Sequence, residues 1–115
     1  PTKQIAVAKM KIKLEQTRAI FLQNARAARV DPSKEFRLGL YATHYTIMEN
    51  ANDICRIAVR TCGGQSMLKS LPLERLYRDS RCGSLMLPWT AELCVDRLGR
   101  ECLYEGGEQD EPDAL

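Results

Sequence analysis

An uninterrupted helical pattern at the start of the chain most constrains the fold. Residues 3–29 contain no glycine or proline. Apolar positions recur there at alternating spacings of three and four, the period of an α-helix. One stripe consists of Val7, Met10, Leu14, Thr17, Phe21, Asn24 and Ala28, and a second consists of Ile5, Ala8, Ile12, Ala19 and Leu22. Two stripes on one helix predict burial on more than one side, as in a helical bundle.

A second long helix is predicted over residues 32–62. Asp31 is expected to cap it, and Pro32 suits its first position, where a missing N–H costs little. Gly63 and Gly64 are expected to end it, because glycine tolerates the left-handed backbone found after helices. The expected core positions are Tyr41, Tyr45, Met48, Ala51, Cys55, Ala58 and Cys62, flanked by Leu40, Ile47 and Ile54.

The remaining sequence predicts two shorter helices. Residues 65–71 are expected to form a loop, and a short helix follows near Pro72. Thr90 is a good N-cap for a last helix, whose apolar face extends from Ala91 to Leu103. Because no segment alternates as a strand does, the predicted class is all-α, an antiparallel four-helix bundle. Residues 1–104 form its expected domain and residues 105–115 an acidic, disordered tail.

Composition excludes several classes of protein. The net charge of +2 is too small to indicate nucleic-acid binding, although residues 1–38 are basic and leave that as a weak alternative. No apolar run approaches the ~20 residues of a membrane span. Five cysteines and one histidine offer no zinc-ligand spacing, so no metal site is predicted. Five reduced thiols indicate a cytoplasmic protein.

Three local features carry weak chemical signals. The glycine pair at residues 63 and 64 is either a plain helix end or a place where a nucleotide approaches the backbone. Thr90 is either a cap or part of an anion site at a helix start. His44 is interpreted as structural, because no activated nucleophile is indicated beside it.

A longer motif carries a family resemblance. Residues 60–65 read Arg-Thr-Cys-Gly-Gly-Gln, and residues 72–79 read Pro-Leu-Glu-Arg-Leu-Tyr-Arg-Asp. Together they resemble the C-terminal helical-bundle domain of the acyl-CoA dehydrogenases, in which a glycine pair precedes a Pro-x-Glu-Arg-x-x-Arg-Asp segment at this distance. The resemblance covers roughly residues 3–98. It implies that the chain is a fragment of a longer FAD-dependent oxidoreductase, whose first bundle helix lies upstream of Pro1.

The resemblance also implies site residues and partners. It makes Arg60, Cys62, Gly63 and Gly64 contacts to the FAD of a neighbouring subunit, although the family often has glutamine at the position of Arg60. Residues 90–93 resemble the family's Thr-Ser-Glu-Ile, which makes Thr90 and Glu92 further FAD contacts. The implied partners are an acyl-CoA substrate, an electron-transfer acceptor, and identical or different subunits in a dimer or tetramer.

The sequence departs from the family where a catalytic base is often found. Many members have Tyr-Glu-Gly just before the last helix, whereas this chain has Leu87, Pro88 and Trp89. Neither leucine nor proline can accept a proton, so the catalytic residue is unknown. Glu105 belongs to a similar Tyr-Glu-Gly but follows the last helix, and it is interpreted as tail. The alternatives are a catalytically silent subunit of a mixed oligomer and a non-catalytic assembly module.

Overall fold

The computed structural model describes residues 2–104. Four α-helices follow one another: α1 (Thr2–Ala27), α2 (Lys34–Cys62), α3 (Leu73–Cys82) and α4 (Ala91–Leu103). A 3₁₀-helix, Gly63–Met67, continues directly from α2. No residue between 2 and 104 lies in a strand. The prediction of an all-α chain is therefore confirmed, while the expected tail and Glu105 lie outside the described residues.

The ends of α2 confirm one sequence prediction and correct another. Ser33, not Asp31, is the N-cap, because its hydroxyl accepts a 3.1 Å hydrogen bond from the backbone N–H of Phe36. At the other end Gly63 has a φ of 70°, a conformation that favours glycine, so the predicted stop is confirmed. The expected loop after it begins as the 3₁₀-helix, which Ser66 stabilises by donating to the Gly63 carbonyl at 2.6 Å.

The first two helices pack antiparallel through polar side chains. Asn24 Nδ2 donates to Thr43 Oγ1 at 2.8 Å, and Asn50 Nδ2 donates to Thr17 Oγ1 at 3.1 Å. Further along, Lys13 Nζ lies 3.3 Å from an Asp53 carboxylate oxygen. In these three pairs the residue numbers decrease along α1 as they increase along α2, which defines the antiparallel register. We call these three contacts the polar ladder.

The second covered side predicted for α1 is not supplied by the described chain. Only the side carrying the polar ladder is partly covered, and no residue of α1 is fully buried. The flanking apolar side chains are exposed because, within residues 2–104, only α2 packs against α1. They are Ile5, Val7, Ile12, Leu14, Phe21 and Leu22, with 39–58% of their surface accessible.

The most buried positions of the molecule are small and mostly polar. Cys94 is fully buried, and Thr43, Asn52, Ser66 and Ser84 are at most 9% exposed. Of the predicted core of α2, Tyr45 and Cys62 are exposed instead. Asn52 is tolerated inside because its amide donates to Ser80 Oγ of α3 at 3.2 Å, so its desolvation is compensated. None of the helices in residues 2–104 combines the length and apolar composition needed to cross a bilayer.

Gly83 lies where α3 meets α2, and its lack of a side chain permits that contact. A Cβ atom added there would lie 1.9 Å from Met48 Sδ. We expect Gly83→Ala to lower the free energy of unfolding by about 1–3 kcal/mol, since Met48 must shift. Urea denaturation followed by circular dichroism measures the change.

Gly99 supplies the control for this substitution. It lies inside α4, and an added Cβ would meet no atom within 4 Å. Gly99→Ala should therefore stabilise the chain by up to about 0.5–1 kcal/mol through helix propensity. Equal effects of the two substitutions would contradict the close contact at Gly83.

Candidate functional site

The C-terminal end of α2 presents an open stretch of backbone. Arg60, Cys62, Gly63 and Gly64 are all exposed there. A Cβ atom placed on Gly63 or Gly64 would meet no atom of the chain within 4 Å. Since the positive φ belongs to Gly63 alone, the local fold requires glycine at position 63 but not at position 64. The second glycine therefore leaves room for something outside the described chain to approach the backbone.

The start of α4 is a satisfied helix cap. Thr90 Oγ1 accepts from the N–H of Leu93 at 3.2 Å, and the Thr90 carbonyl accepts from the N–H of Cys94 at 3.0 Å. The Ala91 N–H donates to the Ser84 carbonyl at 2.9 Å. The predicted N-cap at Thr90 is confirmed. These internal bonds leave this helix start little free capacity for an anion, while Glu92 beside it is exposed.

The connection between α3 and α4, residues 83–90, is anchored to α2 by side chains. The buried Ser84 hydroxyl donates to a Glu49 carboxylate oxygen, and Arg81 Nη1 lies 3.8 Å from the same oxygen. His44 Nε2 lies 3.3 Å from the Gly83 carbonyl, which fits its expected structural role. Trp89 packs on Tyr41 with ring centroids 4.8 Å apart. Both ends of the connection are thereby held against one helix.

The middle of this connection is apolar and exposed. Leu85, Met86 and Leu87 are 60–70% accessible, and Pro88 is also exposed. Leu87 and Pro88, at the position where the family often has its catalytic glutamate, thus present only hydrocarbon to their surroundings. A surface of this kind can contact an apolar group, but it cannot accept a proton.

The two predicted cofactor segments do not meet within one chain. Trp89, next to Thr90, packs beside His44 in the first half of α2, with ring centroids 5.9 Å apart. Gly63 follows nineteen positions later, which corresponds to about 28 Å of helix at 1.5 Å per residue. One small ligand therefore cannot occupy both places on the same chain except in an extended form. Contacts at both are more easily made to two ligands, or across a subunit boundary.

The acidic and basic motif on α3 forms a local ion pair. Glu74, which is mostly covered, accepts from Arg78 Nε at 3.0 Å one helical turn away. Arg75 and Asp79 are exposed. The ion pair thus links two side chains on one face of α3. In the described chain the motif does not form a catalytic pair.

The described residues contain neither a disulfide nor a group of side chains suited to bind a metal ion. All five thiols are free, and burial raises the pKa of Cys94. Between residues 2 and 104, no group of three His, Cys, Asp or Glu side chains is close enough to hold a metal ion.

These observations define an antiparallel helical domain with an exposed glycine pair and an anchored apolar connection. The chain belongs to the acyl-CoA dehydrogenase family: it matches the C-terminal domain of these enzymes over residues 1–87. No curated protein and no solved structure matches the chain. The matched residues include Arg60, Cys62, Gly63 and Gly64 and end at Leu87. Thr90 and Glu92 lie beyond them.

Sequence reasoning missed the anchor between Glu49 and Ser84. The two residues are 35 positions apart, and neither stands in a recognisable motif. The only available signal was that Glu49 occupies a position beside the expected apolar face of α2. A carboxylate there needs a partner if it is covered by another element.

The anchor can be tested by a double-mutant cycle. We expect Glu49→Ala to lower the free energy of unfolding by about 1–3 kcal/mol, because the buried Ser84 hydroxyl loses its acceptor. Ser84→Ala should cost less, and the double variant should be less destabilised than Glu49→Ala, because it leaves no buried hydroxyl without an acceptor. The measurement is urea denaturation followed by Trp89 fluorescence.

Asp79→Ala is the matched control, since this carboxylate is exposed on α3. It should change the free energy of unfolding by no more than about 0.5 kcal/mol. Additive effects of Glu49→Ala and Ser84→Ala would show that the two side chains do not act together.

Proposed function

We propose that residues 1–104 are the C-terminal helical-bundle domain of an FAD-dependent acyl-CoA dehydrogenase. In that role the domain contributes FAD contacts and part of an oligomer interface. The observation that carries the proposal is the family match over residues 1–87 together with the exposed glycine pair at its expected position. The reaction proposed for the complete enzyme is α,β-desaturation of an acyl-CoA thioester.

The end of α2 fits a flavin nucleotide. The backbone of Gly63 and Gly64 is open to approach, and the Arg60 side chain is an exposed cation that can meet an anionic group. Cys62 lies beside them. When bound, FAD accepts the hydride from the substrate. In our proposal these residues of the chain hold and orient the nucleotide end of the cofactor and take no part in proton transfer.

We propose that Thr90 and Glu92 contact a different FAD molecule from the one at Gly64. The roughly 28 Å of helix between the two places supports this division. Each cofactor would then be shared by two subunits. Because the N–H groups of Ala91 and Leu93 are already hydrogen-bonded within the chain, the exposed Glu92 is the more available contact of the two.

The general base of the reaction is proposed to lie outside the described residues. A positioned base is worth roughly 10²–10⁴-fold in rate, and Leu87 and Pro88 supply none. We place it on the upstream helix of the bundle or in a partner subunit, and not at Glu105. The exposed Leu85, Met86 and Leu87 would instead contact the acyl group.

The remaining partners follow from the proposed reaction. An acyl-CoA is the substrate, and an electron-transfer acceptor reoxidises the flavin. Five free thiols favour a cytoplasmic setting, in which thiols stay reduced.

A second candidate function is assembly without catalysis. The exposed apolar flanks of α1 favour it, because several large apolar side chains exposed on one helix are typical of an interaction surface. In this case the domain would be a structural subunit of a mixed oligomer. The flavin absorption spectrum of the full-length protein separates the two functions.

Gly64→Val in the full-length protein tests the cofactor contact. The position has an ordinary backbone conformation and open space around it, so the fold itself should tolerate valine. A branched side chain would nevertheless block close approach of a nucleotide. We expect about tenfold weaker FAD retention, measured by flavin fluorescence after dilution, which corresponds to about 1.4 kcal/mol.

Gly39→Val is the control, because Gly39 is equally open but lies near the start of α2. It should leave FAD retention unchanged. Normal FAD retention by Gly64→Val would refute the proposed contact while leaving the family assignment intact.

Leu14→Glu tests the assembly surface on α1. Leu14 is 41% exposed in a flanking apolar stripe, so a partner that covers it would have to bury a carboxylate. We expect the variant to sediment at a lower mass than the unmodified chain. Gln4→Glu, with the same charge change at another exposed position of α1, should not alter the sedimentation. A monomeric unmodified chain would contradict the prediction.

A further inference from the structure

A basic groove lies between the first half of α1 and the last part of α2. It has a volume of about 560 Å³ and is open to solvent. None of the described residues that line it is acidic, and Ile5 and Ile57 add apolar surface. Its five cationic side chains are Lys3, Lys9, Lys13, Arg56 and Arg60.

The positive charge of the basic groove is only partly compensated. Asp53 lies at its edge, 3.3 Å from Lys13 Nζ and 3.7 Å from Arg56 Nε. Lys3, Lys9 and Arg60 form no ion pair with any residue between 2 and 104. Five cationic groups therefore face one neighbouring carboxylate, an imbalance that attracts an anionic partner.

The same sequence contains a segment of complementary charge. Residues 105–115 hold five acidic residues and no basic one, and they end in Ala114 and Leu115. Acidic groups could pair with the cations of the groove, and the apolar end could meet Ile5 and Ile57. A groove with cations and two isoleucines matches both properties of this segment.

A chain cannot place this whole segment in its own groove. The end of α4 lies beside the start of α2, because Lys34 Nζ is 3.6 Å from Glu101 Oε2. Arg56 is twenty-two positions further along α2, about 33 Å away. Residues 105–110 span at most about 20 Å when fully extended. The acidic residues up to Asp110 therefore fall short of their own groove.

We propose that the basic groove binds the acidic segment 105–115 of a second copy of this chain. Reciprocal exchange of the two segments would join two chains by charge pairing. The groove shares Ile5 with the apolar flanks of α1 and Arg60 with the proposed FAD contacts. Its charge pairing does not involve Leu14 and does not require a bound cofactor. Because exposed ion pairs are individually weak and screened by salt, the association is strongest at low ionic strength.

Peptide binding tests the proposal directly. The probe is a labelled peptide of residues 105–115, and the receptor is the full chain with its own five acidic tail residues changed to Gln or Asn. We expect binding in fluorescence anisotropy at 50 mM salt that is about tenfold weaker at 300 mM. A peptide with the same amide substitutions should not bind.

Two pairs of substitutions in this receptor locate the binding surface. Lys3→Gln with Lys9→Gln removes two cations of the groove and should weaken peptide binding about fivefold. Lys11→Gln with Arg18→Gln removes two cations that pair with Glu15 outside the groove, and it should change binding by less than about twofold. Circular dichroism of each variant establishes that the helices are retained.

Sedimentation and competing ligands complete the test. In the Leu14→Glu variant, sedimentation should show association that is lost when the tail is neutralised or the salt is raised. Association through Leu14, present in the unmodified chain, should persist in salt. Absence of peptide binding, or equal weakening by both pairs of substitutions, would overturn the proposal. The proposal would also be overturned if the chain bound ADP or duplex DNA through Lys3 and Lys9 but did not bind the peptide.

Discussion

The packing of every other helix against α2 organises this molecule. α1, α3 and α4 all contact it, as does the 3₁₀-helix that continues from it. The contacts combine small side chains and hydrogen bonds, with Thr43, Asn52 and Ser84 among the most buried groups. Such groups stabilise a helix pair only when each has its partner, so the register of the helices is constrained by hydrogen-bond geometry as well as by shape. The connection of residues 83–90 depends on the same helix through Glu49 and His44.

Helix positions could be predicted from the sequence because they depend on local properties. The spacing of apolar residues indicated α1 and α2. Gly63 indicated the end of α2, because glycine adopts a positive φ more readily than other residues. The cap was misassigned because Asp31 and Ser33 are both good capping residues two positions apart. Burial was harder to predict. The apolar flanks of α1 look like core in a sequence, and whether they are covered depends on neighbours that the sequence pattern does not identify.

The candidate site was predictable only where it coincides with a local motif. The glycine pair and Thr90 were found because helix ends have characteristic residues. The anchor at Glu49 and Ser84 and the groove formed by Lys3 and Arg60 join residues far apart in the chain. Their charges are visible in the sequence, but their proximity follows from the antiparallel register of α1 and α2. The proposed function rests on the family resemblance, since the described side chains alone do not define a reaction.

The distribution of free thiols has a practical consequence for solution work. Cys62 lies at the end of α2, Cys82 at the end of α3 and Cys102 near the end of α4, and all three are exposed. Cys94 is fully buried, and its raised pKa keeps it in the unreactive thiol form. The chain thus carries natural attachment points for fluorophores or spin labels at the ends of three different helices. Each reports on a different surface, so alkylation rates would distinguish occupancy near Gly63 from occupancy near α4 without any engineered cysteine.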